Sequence, residues 1–321
     1  GDLYQMKYIT EPITHFGLGA VKRADVLRVV WPNGVPQNVI LPQANQRILE
    51  KQVLKGSCPF LYVYDGEKYQ FLTDLLWRSP LGMITSMGTP AFADSAADYV
   101  KIPGDRMKPK DGVYSLQITE ELWETAYFDQ VVLIAVDHPA GTQIFVDEKF
   151  IPPPFPEFKI YTAREIHRPR AAFDHRGRDV SDALKEFDYH YAIEHEVGPF
   201  QGVVEPHFIV LDLGDAPNDR PLTLFLTGWI FPTDTSINVS LSQNALIGQT
   251  FPYVQVRDAQ GRWQTVIDMI GLPAGKNKTI AVDLTGKFIS ADRQVKIATD
   301  MQIYWDSAFF TIGEGEAPTE P

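Results

Sequence analysis

The sequence predicts a nearly all-β protein, and three observations carry that expectation. Aromatic residues make up 12% of the chain, and Thr, Val and Ile are frequent, a mix that suits pleated, half-buried strands. Short alternating or β-branched runs recur between turn residues. The 23 Gly and 24 Pro are spread along the chain as punctuation and are not gathered into low-complexity blocks. At 321 residues the chain has room for two domains or three small ones. The expected architecture is an N-terminal β-hairpin remnant followed by two β-sandwiches, the last of jelly-roll type, with one or two short helices.

The first segment is residues 1–55. Ala24-Asp25-Val26-Leu27-Arg28-Val29-Val30-Trp31 is a β-branched run ending at Pro32-Asn33-Gly34, where Asn-Gly tolerates positive φ and marks a tight hairpin turn. Gln37 to Leu41 and Arg47 to Val53 read as return strands. Residues 56–157 form the first expected sandwich. Its strongest hairpin is Pro59-Phe60-Leu61-Tyr62-Val63-Tyr64, turning at Asp65-Gly66 and returning through Tyr69-Gln70-Phe71-Leu72. Ser79 to Ala97 reads as a long loop, a length that is often functional. Tyr114 to Ile118 alternates as a strand, Thr119 to Phe128 suits either a short helix or β-structure, and the apolar run from Gln130 to Val136 suggests a strand buried on both faces.

Pro152-Pro153-Pro154-Phe155-Pro156 breaks any ladder, because proline lacks the amide donor. Residues 158–204 then read as an irregular linker, with one helix over Asp179 to Asp188, capped by Asp179 and carrying Val180, Leu184 and Phe187 on one face. Residues 205–312 are the clearest β domain. Their strands read Phe208–Leu213, Leu222–Phe231, Ile237–Leu241, Tyr253–Arg257, Trp263–Ile267, Lys278–Asp283, Gln294–Thr299 and Met301–Tyr304. Such short, evenly spaced strands suit a sandwich. Residues 313–321 are an acidic tail expected to be disordered. No short-period repeat is present, so the chain is not itself a solenoid or propeller.

Charge and cysteine content narrow the function classes. Lys plus Arg is 29 against 41 Asp plus Glu, a formal net charge of −12, which repels phosphate backbones and argues against nucleic-acid partners. No run approaches the roughly 18 apolar residues of a membrane span, so no membrane insertion is expected. A single cysteine, Cys58, rules out an intrachain disulfide and a cysteine-based zinc site, and its plain reading is a small buried residue.

Two clusters stand out chemically. The aromatic set Trp77-Arg78, Trp229 and Tyr304-Trp305-Asp306 supplies flat apolar faces beside charged groups, as sugar recognition requires. The binding candidates are therefore Trp77, Arg78, Trp229, Tyr304 and Asp306. Strand alternation sends Tyr304 and Asp306 to one face and Trp305 to the other, and the plain reading of Trp229, Trp263 and Trp305 is core packing. The second cluster is rich in His and carboxylates between residues 174 and 207. From it His190, Glu194, His195 and His207 are the metal candidates, with zinc or calcium as the ion. Their order is not His-Glu-x-x-His, and ordinary hydrogen-bonded side chains are the competing reading, so no cofactor is expected by default. Asp137-His138 ends an apolar run, and neighbouring strand side chains point apart, so a turn role is expected there. No Gly-x-Ser-x-Gly elbow, Walker loop or dinucleotide fingerprint occurs, and no catalytic residue is assigned.

At the N-terminal segment the motifs become specific. His15-Phe16-Gly17-Leu18-Gly19, Ala24-Asp25, Val29-Val30-Trp31-Pro32-Asn33-Gly34 and Asn45-Gln46 resemble the C-terminal half of the ASPIC/UnbV domain. The rest of the chain resembles the extension that follows this domain in long bacterial proteins, on Gly56-Ser57-Cys58-Pro59, Phe71-Leu72-Thr73-Asp74, Val136-Asp137-His138-Pro139 and Ile303-Tyr304-Trp305-Asp306 among others. The resemblance implies a piece of a larger protein with upstream FG-GAP or VCBS-type propeller repeats, located extracellularly, in the periplasm or at the cell surface. The last sandwich is similar in strand spacing to galactose-binding-like domains, although fold alone does not give function.

The expected function is a non-catalytic binding or assembly module recognising a glycan or a surface protein, with the upstream repeats as partners within the same polypeptide. Two alternatives stay open: a polysaccharide-acting hydrolase, which needs two carboxylates about 5–9 Å apart in a cleft, and a structural cap on the upstream repeats. An apolar patch on the first segment favours the cap.

Overall fold

The computed structural model describes residues 4–31, 36–51, 59–75, 84–86, 89–90, 97–120, 128–152, 154, 156–233, 235–244, 246–273 and 275–313. Cys58, Trp77, Arg78, the Pro32-Asn33-Gly34 turn, most of the 79–97 loop, residues 121–127 and all of the acidic tail but Gly313 lie outside them. The chain divides into two compact units, Gly1–Lys55 and Gly56–Pro321. The protein is nearly all-β, as its residue patterns imply, with one short α-helix and one 3₁₀ turn among the described residues.

In the first unit, β1 (Val26–Val30) pairs antiparallel with β2 (Pro36–Ile40), with Val26 opposite Ile40 and Val30 opposite Pro36. Leu27 and Val29 are half-buried, whereas Val26, Val30 and Ile40 stay exposed. No strand forms at Arg47–Lys51. That stretch is held instead by Gln37, whose side-chain amide donates to Glu50 and to the Lys51 carbonyl.

The second unit opens with β3 (Phe60–Tyr64) and β4 (Tyr69–Asp74), joined through the Asp65-Gly66 turn and flanked by β9 (Leu116–Thr119) in a three-stranded antiparallel sheet. The Asp65 carboxylate accepts the Glu67 and Lys68 amides, both at 2.9 Å, and these bonds hold its pKa down to about 2. Small antiparallel pairs follow: β5 (Ile84–Ser86) with β6 (Thr89–Pro90), β7 (Pro109–Lys110) with β8 (Val113–Tyr114), and β10 (Gln143–Val146) with β12 (Ile160–Ala163). β11 (Lys149–Phe150) pairs with a later strand, β18 (Leu272–Pro273).

The C-terminal part is a two-layer sandwich. One sheet runs β13 (Ala171–Asp174), β14 (Val203–Asp212), β20 (Gln294–Met301), β16 (Tyr253–Arg257), β17 (Trp263–Ile267). The other runs β19 (Lys278–Asp283), β15 (Leu222–Ile230), β21 (Ile303–Ile312). Their facing residues, among them Leu211, Leu224, Val256, Ile280, Ile297 and Trp305, form one buried core, which excludes water from alternate positions of each strand. The outer face of the three-stranded sheet carries Phe225, Ala281 and Phe309, and Phe145 of β10 and Ala163 of β12 cover it.

One irregularity organises that sheet. Thr227 pairs with Ser307 and Gly228 with Trp305, leaving Asp306 as an extra residue in a bulge. The bulge switches the facing of β21, so Ile303 and Trp305 enter the core before it, and Ala308 and Phe310 after it. A Cβ at Gly228 would lie 2.4 Å from the Tyr304 carbonyl oxygen and 3.0 Å from the Trp305 ring. Gly228→Ala is therefore expected to destabilise the fold by about 1–3 kcal/mol through overpacking, read as a lowered urea midpoint at unchanged slope. An unshifted midpoint would show that the strands part freely there.

Three expected elements differ. Ile237–Leu241 lies within α1 (Thr235–Ser242). Its Ile-x-Val-x-Leu pattern fits a strand, but Ile237 and Leu241 also stand four apart, and the helix buries Leu241. The helix expected at Asp179–Asp188 shrinks to a 3₁₀ turn, Asp182–Leu184. Asp179 does accept the Ser181 amide at 2.9 Å, but the Asp188 and Tyr189 amides donate to Asp306 and not to helical carbonyls. Finally, Gln130–Val136 is neither strand nor buried. Val131, Val132, Leu133 and Ile134 are exposed: an apolar run sets the potential for burial, but no strand among the described residues pairs with this one to form a sheet.

Candidate functional site

A cavity of about 340 Å³ opens on the outer side of the three-stranded sheet. Its floor is polar: Thr227 and Ser307, cross-strand neighbours on β15 and β21, and Thr279 of β19, whose hydroxyl bonds that of Thr227 at 2.9 Å. Phe309 and Phe145 continue the floor as an aromatic surface, 4.9 Å apart, and Phe309 stacks on Phe225 at 4.8 Å and 12°. Phe187 and Tyr189 form a wall. They pack 4.9 Å apart yet remain 44% and 56% exposed, so their outer ring faces are available to a ligand.

Charge is unevenly placed around this cavity. Lys101, Arg106, Arg168 and Lys185 line it against two carboxylates, Glu148 and Glu186. Glu148 is already engaged, accepting the Thr279 amide at 2.7 Å and the Lys101 amide at 3.2 Å. Burial pushes its pKa up, opposed by the Lys278 ammonium and those two amides. Lys101 sits 4.3 Å over the Phe145 ring, and burial pulls its pKa down against the attraction of Glu148. Lys185 is paired with Asp182. Arg106 and Arg168 are exposed, and neither has an ion-pair partner among the described residues.

The wall is held by a residue that the sequence singles out for another role. Asp306 is fully buried, and its carboxylate accepts the Asp188 amide at 3.1 Å and the Tyr189 amide at 3.1 and 3.2 Å. Burial raises its pKa, and those amides pull it back. Tyr189 is thereby kept at φ 68°, a left-handed conformation that costs a non-glycine residue energy. Asp306 is a positioning residue and not a ligand contact, which corrects the expectation that it shares an open face with Tyr304. Asp306→Ala should remove charge-assisted bonds worth about 1.5–3 kcal/mol each. Amide exchange at Asp188 and Tyr189 should then accelerate by roughly tenfold or more, and unchanged exchange would show that another group holds the wall.

Of the other aromatic candidates, Trp229 and Tyr304 do come together, stacked 4.7 Å apart at 10° on the same sheet face. They are closed over: Trp229 is 6% exposed, and Tyr191 and Lys276 cover the pair. Burial, with the Asp306 charge second, pushes the Tyr191 hydroxyl up to about 12. Trp305 is core, and Trp263 is half-buried under Arg257 and Lys296. Trp77 and Arg78 lie outside the described residues.

The four metal candidates do not assemble. His190 is exposed and paired with Asp188, and Glu194 is exposed beside Arg178. His195 and His207 do meet, with ring centres 4.6 Å apart, and His175 is 6.1 Å from His207. Among the described residues no group of three or more His, Cys, Asp or Glu is arranged to hold a metal ion. His207 Nδ1 donates to the Glu205 carbonyl and His195 Nε2 to the Ile303 carbonyl. The remaining nitrogens, His175 Nδ1, His195 Nδ1 and His207 Nε2, are buried without hydrogen-bond partners among the described residues, and burial lowers the pKa of His195 and His207.

Sequence reasoning missed the cavity itself. Its aromatic lining comes from residues at 71, 145, 187, 189 and 309, whose common signal in sequence is only that each is a single ring within a strand or turn. Among the described residues no helix is long and apolar enough to cross a membrane. No curated protein and no solved structure matches the chain. A family model does match at the N-terminal end: residues 8–53, which include the Phe-Gly-Leu-Gly approach to the β1–β2 hairpin, are similar to the family described as ASPIC and UnbV.

Proposed function

We propose that this chain is a non-catalytic binding module of a larger extracellular or cell-surface bacterial repeat protein, and that the cavity beside Tyr189 is its saccharide-binding site. One observation carries the reading. A concave site of ligand size joins exposed aromatic rings to hydroxyls and to guanidinium groups without an ion-pair partner among the described residues, the combination that grips the apolar face and the polar rim of a sugar. Tyr189, one of five non-glycine residues with positive φ among the described residues, lines it, and backbone strain of that kind gathers at ligand sites. A panel of polysaccharides and oligosaccharides tests it. Binding should occur and should fall at least roughly tenfold when Tyr189 is changed to Ala, the scale of losing a contact of about 1.4 kcal/mol. A panel without a binder would end the reading.

A second reading concerns the first unit. Val26 and Ile40 face each other across the hairpin and are 48% and 64% exposed, and Tyr8, Ile13 and Leu49 are also exposed. Surface of this kind suits assembly against the upstream repeats of the same polypeptide. A polypeptide extended through those repeats should protect the amides of residues 4–13 from exchange, and equal exchange with and without the repeats would remove this role.

A further inference from the structure

We infer that the cavity selects an acidic sugar, a pyranose bearing a carboxylate or sulfate, with Arg106 and Arg168 as the groups that read the anion. This rests on the saccharide reading of the same site. The argument begins with what the charges around the cavity already do. Glu148 has an oxygen on each of two backbone amides and faces Lys101, so this carboxylate and this ammonium balance each other within the wall. Lys185 has Asp182. Arg106, Arg168 and Glu186 are left on the cavity lining, all exposed and without an ion-pair partner among the described residues, so two guanidinium groups outnumber one carboxylate.

A chain with a formal charge of −12 repels anions as a whole. An excess of guanidinium over carboxylate among the unpaired groups of one cavity therefore marks the place where an anion is accepted. Guanidinium offers paired N–H donors that match a carboxylate or sulfate edge, and it does not lose its proton at neutral pH. A bare inorganic anion would leave the rest of the site unused. Phe187 and Tyr189 present ring faces, and Thr227, Thr279 and Ser307 supply hydroxyls on the floor. An apolar face, a ring of hydroxyls and one anionic group are the three features of an acidic sugar, and each has a counterpart here. The volume, about 340 Å³, lies at the small end of the roughly 300–1,000 Å³ range of ligand pockets, which suits a short saccharide.

The test is calorimetry and amide NMR on the full chain with an α-linked galacturonic acid trisaccharide, its neutral galactose counterpart, a sulfated disaccharide, and inorganic sulfate or phosphate alone. Arg106→Ala/Arg168→Ala removes both guanidinium groups. These side chains are exposed and have no ion-pair partner among the described residues, so the variant should melt like the wild type. The galacturonate or the sulfated sugar should bind, should weaken at least roughly tenfold in the double variant, the loss of about one charge-assisted contact, and should weaken with added salt. The neutral sugar should bind much less. Equal binding of neutral and acidic sugars would overturn acid selection while leaving the saccharide reading in place. Binding of inorganic sulfate or phosphate as tight as that of any sugar would overturn the sugar part. Absence of binding by every probe would bring down this inference together with the reading it rests on.

Discussion

Trp305→Ala is expected to destabilise the second unit by about 3–5 kcal/mol, the range for emptying a large aromatic from a packed core. Trp305 is 1% exposed and belongs to the core between the two sheets. Its ring lies over Gly228, where even a Cβ would come within 3.0 Å, so strand and side chain fill each other's space and neither can collapse into the void. Its carbonyl also accepts the Ala192 amide at 2.9 Å, which ties the 185–193 segment to the same strand. Urea unfolding followed by tryptophan fluorescence and circular dichroism measures the loss. A cost below about 1 kcal/mol would mean that the sandwich core is looser than its burial implies.

The second large effect is an acid-dependent loss of stability centred on His207. This residue is 2% exposed, and burial lowers its pKa from the ordinary histidine value to about 4. His195, His175 and Glu205 surround it: the neighbouring histidines disfavour its proton, and Glu205 favours it without reversing the shift. Because the folded value is depressed, the unfolded chain takes up the proton first. Stability is therefore full above about pH 6.5 and declines as pH falls toward about 4, by on the order of 3 kcal/mol for this group. Burial lowers the pKa of His195 as well, and its contribution has the same sign. Glu148, Asp300 and Asp306 have raised values and act in the opposite direction, so the measurement must be differential. His207→Gln should flatten the dependence of unfolding free energy on pH between 7.5 and 4.5 relative to the wild type. Parallel curves would mean that His207 titrates normally.

The cavity is built by the same device that sets these energetics. The bulge at Asp306 places Ser307 and Phe309 on the cavity floor, Trp305 in the core, and a buried carboxylate under the Asp188 and Tyr189 amides. A single inserted residue thus links core packing to the position of the ligand-facing wall. Asp306 was legible in the sequence as a residue of interest beside two aromatics, but its role was not, because alternation assumes an unbroken strand.

What the sequence determined by itself is local. Turn residues at Asp65-Gly66 and Asp258-Ala259-Gln260-Gly261 mark hairpins that form, since the conformations they permit depend on their own side chains and immediate neighbours. The β-branched and aromatic runs read over Leu222–Phe231 and Gln294–Thr299 form the strands Leu222–Ile230 and Gln294–Met301, and the motifs between His15 and Gln46 fall within the stretch similar to ASPIC and UnbV. Tertiary structure decided everything that requires two distant pieces of chain. It left Val131–Ile134 in solvent, without a strand partner among the described residues. It brought His175, His195 and His207 together while leaving His190 and Glu194 at the surface. It closed the Trp229–Tyr304 pair under Tyr191 and opened instead a cavity between residues as far apart as Phe71 and Phe309. The physical reason is the same in each case: a residue's period sets which way it points, but whether that direction meets water, a ligand or another sheet depends on packing between segments that no local pattern encodes.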